Sequence, residues 1–244
     1  MKVRLDQLLV DKRLAPDLKT AGALIGAGEI HVDDILVDKA GTLVDSEALI
    51  RAKQRCPYVS RGGLKLEKAI DYFQIDVRGL TCIDIGSSTG GFTDCLLQHG
   101  AGKVFAVDVA YGMLAWKIRQ DPRVEVLERF NARHIGREDI NCENISLAVM
   151  DVSFISVTKI IPPLLELFTS SAAIITLIKP QFELAREEIG PGGIVTDKQL
   201  HQKAIDRIEL FAADLGLENK GIVTSPILGQ KGNREFLIYL HRKS

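Results

Sequence analysis

Four charged residues interrupt apolar runs at positions where catalysis could use them. Asp151 ends the run Leu147–Met150, and Lys179 ends the run 174–178, with Pro180 stopping the strand behind it. Glu235 opens the last apolar run after Gly232-Asn233, and Lys65 opens the helix ahead of the first strand of the main body. Singly, each is better read as a capping acid, a solvated lysine or a surface ion pair. If parallel strands deliver their ends to one edge, the four together form a polar pocket suited to an alcohol acceptor, because a hydroxyl is a poor nucleophile until a base takes its proton. A lysine of ordinary pKa, ~10.4, is protonated at neutral pH, and bringing it near 7 costs ~4 kcal/mol. Lys65 beside Lys179 would depress one of the pair by like-charge repulsion, with partial burial acting the same way, while Asp151 and Glu235 orient the ammonium groups.

A second cluster supplies the other half of a group transfer. Directly after an apolar strand comes Asp84-Ile85-Gly86-Ser87-Ser88-Thr89-Gly90-Gly91-Phe92, followed by a helix. Glycines let the backbone turn tightly and approach a ligand, and the helix start offers free amides. Three residues separate Gly86 from Gly90, which excludes the dinucleotide Gly-x-Gly-x-x-Gly, and no Gly-Lys-Ser/Thr follows, which excludes a P-loop. Asp108 ends the next strand, where a carboxylate can accept both hydroxyls of an adenosine ribose. The combination fits S-adenosylmethionine better than NAD, because the amino-acid ammonium can use Asp84. The candidate cofactor residues are therefore Asp84, Gly86, Ser87, Ser88, Thr89, Gly90, Gly91, Phe92 and Asp108, with Asn131 after the third strand either facing the adenine or serving as a turn residue. A sulfonium methyl is already activated, so catalysis rests mainly on alignment.

These residues need a scaffold, and the apolar pattern describes one. Residues 81–85, 104–107, 124–127, 147–150 and 173–178 are apolar runs without polar alternation, separated by helical stretches, which implies a parallel sheet covered on both faces. A helix over 198–215 leads to two strands, 221–224 and 235–240, that read as an antiparallel hairpin closing the sheet. The expected fold class is α/β, a doubly wound sheet with its ligand at the carboxyl ends of the strands. Ahead of it, residues 1–58 read as a small α+β unit. Leu5, Leu8 and Leu9 mark one helix, Asp17 caps a second, and 29–32 and 35–37 form a hairpin turning at Asp33-Asp34, with 42–44 as a possible further strand.

Composition sets the remaining bounds. The 244 residues are 46% hydrophobic and 26% charged, an ordinary globular balance. No apolar run approaches the ~18 residues of a membrane span, and the charged N-terminus is unlike a secretory signal, so a cytoplasmic protein is expected. Cys56, Cys82, Cys95 and Cys142 are far apart and suggest neither zinc nor disulfides. No metal is expected. The formal net charge is -1, yet residues 51–68 carry six Lys/Arg against one acid. That stretch, including Arg55 and Arg61, reads either as a solvated linker or as a phosphate-tracking stripe. Residues 1–50 carry six Lys/Arg against nine Asp/Glu.

The blocks Val59-Ser60-Arg61-Gly62-Gly63-Leu64-Lys65-Leu66, 84–92, Val107-Asp108-Val109-Ala110-Tyr111-Gly112, Asp151-Val152-Ser153-Phe154-Ile155-Ser156, Lys179-Pro180-Gln181-Phe182-Glu183 and Gly232-Asn233-Arg234-Glu235 closely resemble the TlyA or hemolysin A family. Its members are S-adenosylmethionine-dependent rRNA 2′-O-methyltransferases with an FtsJ-like catalytic domain. The resemblance covers essentially the whole chain. It implies a class I methyltransferase domain over 59–244, a seven-stranded sheet with an antiparallel last strand, behind an N-terminal unit similar to the RNA-binding module of small-subunit ribosomal protein S-four. It implies the tetrad Lys65, Asp151, Lys179 and Glu235, with Lys179 activating the ribose hydroxyl, and makes Arg4, Lys12, Arg13 and Lys19 candidate RNA contacts. The implied partner is rRNA or a ribosomal subunit, with a cytidine as target. Because the chain begins almost at the first helix and ends just after the last strand, it is expected to be of the shorter type that modifies only the large subunit. The competing readings are a non-catalytic RNA-binding assembly factor that keeps the fold, and a membrane-active hemolysin, for which no spanning or strongly cationic amphipathic helix is found.

Overall fold

Short apolar stretches build the first unit, Met1–Arg55, within a computed structural model that describes residues 1–52, 56–140, 144–169 and 171–242. Its elements are β1 (Lys2–Arg4), α1 (Leu5–Asp11), α2 (Leu18–Gly26), β2 (Ile30–Val32), β3 (Ile35–Leu36), β4 (Leu43–Asp45) and β5 (Ile50–Ala52). Leu5, Leu8 and Leu9 of α1, spaced as one helix face, pack with Ala21 and Ile25 of α2 and with Ile30 and Val32. Asp17 caps α2 by accepting from the Thr20 amide at 2.7 Å. The hairpin β2–β3 turns through Asp33 and Asp34, both left-handed (φ 48° and 65°), the backbone that a two-residue hairpin turn requires. The stretch at 43–45 is a strand, as expected, and pairs with β1. One element differs from the sequence reading, since Arg51, expected to begin a linker, lies in β5 against β2. Three-residue strands carry too little alternation to announce themselves.

The second unit, Cys56–Ser244, is the expected α/β body. It contains α3 (Gly62–Phe73), β6 (Thr81–Ile85), α4 (Gly91–Gln98), β7 (Lys103–Asp108), α5 (Trp116–Arg119), β8 (Val124–Glu128), β9 (Leu147–Met150), α6 (Ile161–Leu165), β10 (Ala172–Ile178), α7 (Pro180–Glu183), α8 (Lys198–Asp214), β11 (Glu218–Thr224) and β12 (Phe236–Arg242). The seven strands run in the order β11-β12-β10-β9-β6-β7-β8, with β12 antiparallel to both of its neighbours. Both sheet faces are covered. Ile83, Ile85, Phe105 and Val107 pack with Leu164 of α6 and Ala204 and Ile208 of α8, while the alternate residues Cys82, Val104 and Ala106 pack with Leu66 of α3 and Leu96 of α4. Two-sided burial explains why these strands read as unbroken apolar runs.

Register decides where the chemistry lands. Ile85 pairs with Met150, so Gly86 and Asp151 leave adjacent parallel strands at one edge. Ile178 pairs with Phe236, so Lys179 and Glu235 emerge at that same edge from antiparallel neighbours. The strand order reverses between β6 and β9, which opens a crevice there. No helix among the described residues is long and apolar enough to cross a membrane.

Candidate active site

At that edge the four interrupting charges form one network. The Lys65 Nζ lies 2.7 Å from Glu235 Oε2 and 3.2 Å from Asp151 Oδ2, and Lys179 Nζ lies 2.6 Å from Asp151 Oδ1. Lys179 also donates to the Ser153 hydroxyl at 2.9 Å. Lys65, Lys179 and Glu235 are buried, and two positive charges against two negative ones leave the network formally neutral. Burial pushes the Lys65 ammonium down, but Asp151 and Glu235 together outweigh it and hold Lys65 above the ordinary lysine range. The like-charge depression expected on one of the two lysines therefore does not fall on Lys65. Asp151 stands between the two lysines, so Lys65 is a fixed cation.

The glycine turn borders the same cavity, of about 760 Å³ and within the range of small-molecule sites. Its lining includes all four tetrad residues and Arg61, and from the turn Gly86, Ser87, Ser88, Thr89, Gly91 and Phe92. Gly86 has φ +81°, and a Cβ there would lie 2.8 Å from the Asp151 carbonyl oxygen. A Cβ on Gly91 would lie 2.3 Å from Ser60 Oγ and 2.9 Å from the Gly63 amide, so the turn, α3 and the Asp151 loop meet only without side chains.

The remaining candidates fall elsewhere. Gly90 packs toward Leu114. Asp84 is fully buried behind the turn, where its Oδ2 accepts from the Thr93 hydroxyl at 2.6 Å and its Oδ1 has no hydrogen-bond partner among the described residues. Burial pushes its carboxyl up to about 7. Asp108 accepts from the Ser88 amide through Oδ2 and from the Ala110 amide through Oδ1, both at 2.7 Å, leaving each oxygen a further lone pair. Asn131 is exposed and caps a short helical turn by accepting from the Arg133 amide at 3.1 Å. Arg4, Lys12, Arg13 and Lys19 are exposed on the first unit, but Arg4 is engaged in a two-point pair with the buried Asp6, at 3.0 and 2.6 Å. Arg55 and Cys142 lie outside the described residues.

Sequence reasoning missed several wall residues. Ser153 partners Lys179, and Phe154, 89% exposed and left-handed at φ 65°, stands at the cavity with its ring 5.4 Å from that of Phe182. A bulky residue held in that conformation is a strain characteristic of functional sites. The break in the apolar run drew attention to Asp151 alone, although Phe154 follows three residues later.

The comparisons with known proteins agree with this geometry. The model of the FtsJ-like methyltransferases matches residues 58–242. The chain belongs to that family. Among FtsJ-like relatives, the 16S/23S rRNA (cytidine-2′-O)-methyltransferase TlyA of Mycobacterium tuberculosis is 42% identical over 100% of this chain and 91% of its own. Hemolysin A of Brachyspira hyodysenteriae is 41% identical over 97% of this chain and 99% of its own. A solved Streptococcus thermophilus structure bearing the hemolysin name superposes with a TM-score of 0.77 at 41% identity, covering 100% of this chain and 89% of that one. The family's cofactor is S-adenosylmethionine, and the residues present fit it. A buried carboxylate oxygen with no partner among the described residues sits behind a turn whose Gly86 and Gly91 leave no room for a Cβ, and Asp108 keeps acceptor capacity one strand away.

Proposed function

We propose that this FtsJ-like chain transfers a methyl group from S-adenosylmethionine to the ribose 2′-hydroxyl of a cytidine in large-subunit rRNA, in the cytoplasm. The observation that carries the reading is the neutral network Glu235–Lys65–Asp151–Lys179 beside the glycine turn. Bound at the turn, with Asp84 and Asp108 as its polar anchors, the cofactor supplies a methyl group on a sulfonium, activated toward an oxygen nucleophile.

The protein's residues do the rest. In its unprotonated form Lys179 takes the proton of the 2′-hydroxyl at Nζ and becomes the ammonium that pairs with Asp151, and Ser153 and Asp151 fix the direction of that nitrogen. Lys65 stays cationic and holds Asp151 in place, and Glu235 holds Lys65. The exposed Phe154 ring beside Phe182 offers an aromatic face of the kind on which an unstacked RNA base rests.

The likeness to the M. tuberculosis protein favours the small subunit as a second substrate. That dual-subunit relative aligns with the whole chain, whereas the 23S rRNA (cytidine-2′-O)-methyltransferase TlyA of Campylobacter jejuni is 34% identical over 75% of it. The test is methyl transfer from labelled S-adenosylmethionine to separated ribosomal subunits, wild type beside Lys179→Ala, followed by mapping of ribose methylation. Label in the large subunit, lost in the variant, is expected, and label in both subunits adds the second substrate. No transfer by a wild-type protein that binds the cofactor would overturn the reading in favour of an assembly factor.

A further inference from the structure

Two glycine-rich segments wall the cavity on its β10–β12 side, away from the cofactor turn, and the methyl-transfer chemistry leaves them unexplained. One is the strap 189–195, Ile-Gly-Pro-Gly-Gly-Ile-Val, and the other is the loop 227–233 that leads into Glu235. Ile189 and Gly193 of the strap line the cavity together with Leu228 and Lys231 of the loop. The strap has little regular structure of its own, only a short helical turn at Pro191–Gly193 in which Gly192 and Gly193 are left-handed at φ 72° and 79°.

A buried side chain holds it. Asn233, 2% exposed, accepts from the Val195 amide through Oδ1 at 2.8 Å and donates through Nδ2 to the Gly193 carbonyl at 2.8 Å. The carboxamide thereby makes the two backbone bonds that a neighbouring strand would make. On the other side, His201 Nε2 lies 2.9 Å from the Val195 carbonyl, and its ring packs on Phe236, the residue after Glu235. The Asn233 carbonyl accepts from the Gly229 amide at 2.9 Å, and a Cβ on Gly229 would come within 2.4 Å of Glu235 Oε1. Strap, loop and the carboxylate that holds Lys65 are therefore linked through one amide.

We propose that Asn233 is a positioning residue for methyl transfer: it sets the strap as the wall facing the acceptor nucleotide and keeps that wall in register with Glu235. The acceptor's identity rests on the rRNA reading above. The cofactor turn lies on the β6–β7 side, so loosening the strap disturbs the acceptor and spares the cofactor. Two full-length variants test this. Asn233→Ala removes the clasp, and Gly193→Ala strains the strap at a left-handed φ with nothing within 4 Å of the new methyl. Three quantities are measured: the kcat and KM of methyl transfer to unmethylated large-subunit rRNA, the affinity for S-adenosylhomocysteine, and the hydrogen exchange of the Val195 amide.

The expected result in both variants is a KM for RNA raised about tenfold, the scale of an unmade buried hydrogen bond in Asn233→Ala and of one strained left-handed residue in Gly193→Ala, with cofactor affinity unchanged. The Val195 amide exchanges faster in Asn233→Ala. A merely structural role would lower thermal stability and kcat and leave KM alone. Unchanged KM in both variants, or a Val195 amide protected as in the wild type, overturns the proposal. If Asn233→Ala does not fold, Gly193→Ala carries the kinetic test. If the wild type transfers no methyl to this RNA, the substrate reading fails while the exchange measurement still decides whether Asn233 clasps the strap.

Discussion

The two lysines of the network should fail in different ways when removed. Lys65 lies between two carboxylates, one of them on the buried Glu235, so Lys65→Met leaves unpaired charge in the interior. Breaking such a pair costs about 3–5 kcal/mol, and urea unfolding should read that loss directly. Lys179 faces Asp151, whose side chain keeps 20% exposure, and a hydroxyl. Lys179→Met should stay folded and bind cofactor while methyl transfer falls by roughly 10²–10⁴, the worth of a positioned base. Equal destabilisation by both variants would contradict the division of roles. Asp84 adds a prediction in pH. Its carboxyl is raised by burial from about 3.8 to about 7, so the folded state binds more protons than the unfolded state between those values. Its contribution to stability is therefore present below pH 4 and lost as the pH rises through 7. Asp84→Asn should flatten that part of the thermal-stability profile. A cofactor ammonium near Asp84 would lower its pKa, so binding near pH 7 should release protons, measurable as a calorimetric enthalpy that depends on the buffer.

At the scale of elements, the glycine turn is a joint between β6, α3 and the Asp151 loop. Gly86→Ala places a methyl 2.8 Å from a carbonyl oxygen at φ +81°, so it should displace Asp151 and abolish cofactor binding. Gly79→Ala carries a similar φ, +72°, with nothing within 4 Å, and should cost only the ~1–2 kcal/mol of left-handed backbone. Cofactor titrations of both variants separate the clash from the strain. The turn was legible in the sequence because glycine spacing and a preceding acid survive without tertiary information. The inner strands β6, β7, β9 and β10 were legible for a different reason, since burial on both faces erases polar alternation. What stayed hidden depends on partners distant in sequence. β1 and β5 are three residues each and exist through pairing with β4 and β2. Ser153 and Asn233 are ordinary loop residues until the fold brings Lys179 to one and Val195 to the other. That Lys65 would be the lysine to escape depression was hidden too, because spacing along the chain does not reveal that it lies between two carboxylates.

At the scale of the whole molecule, the formal charge of -1 leaves RNA affinity to local cations, and those cations are not equivalent. On the first unit, Lys12, Arg13 and Lys19 are exposed, whereas Arg4 is committed to Asp6, a carboxylate 7% exposed whose pKa that pairing holds low. Each phosphate that a cation neutralises steepens the dependence of affinity on salt by about 0.7–0.9 in a log-log plot. Replacing Lys12, Arg13 and Lys19 together with Gln should therefore flatten the slope of rRNA binding by about 2 to 3. Arg4→Gln should instead leave the slope unchanged and lower the stability of the first unit, because it strips a buried acid of its partner. Salt titrations of the two variants beside the wild type make the distinction. A slope lowered by Arg4→Gln would mean that Arg4 exchanges Asp6 for phosphate in the complex. An unchanged slope in the triple variant would remove these three cations from the RNA footprint and leave Arg61, at the wall of the cavity, as the site to test next.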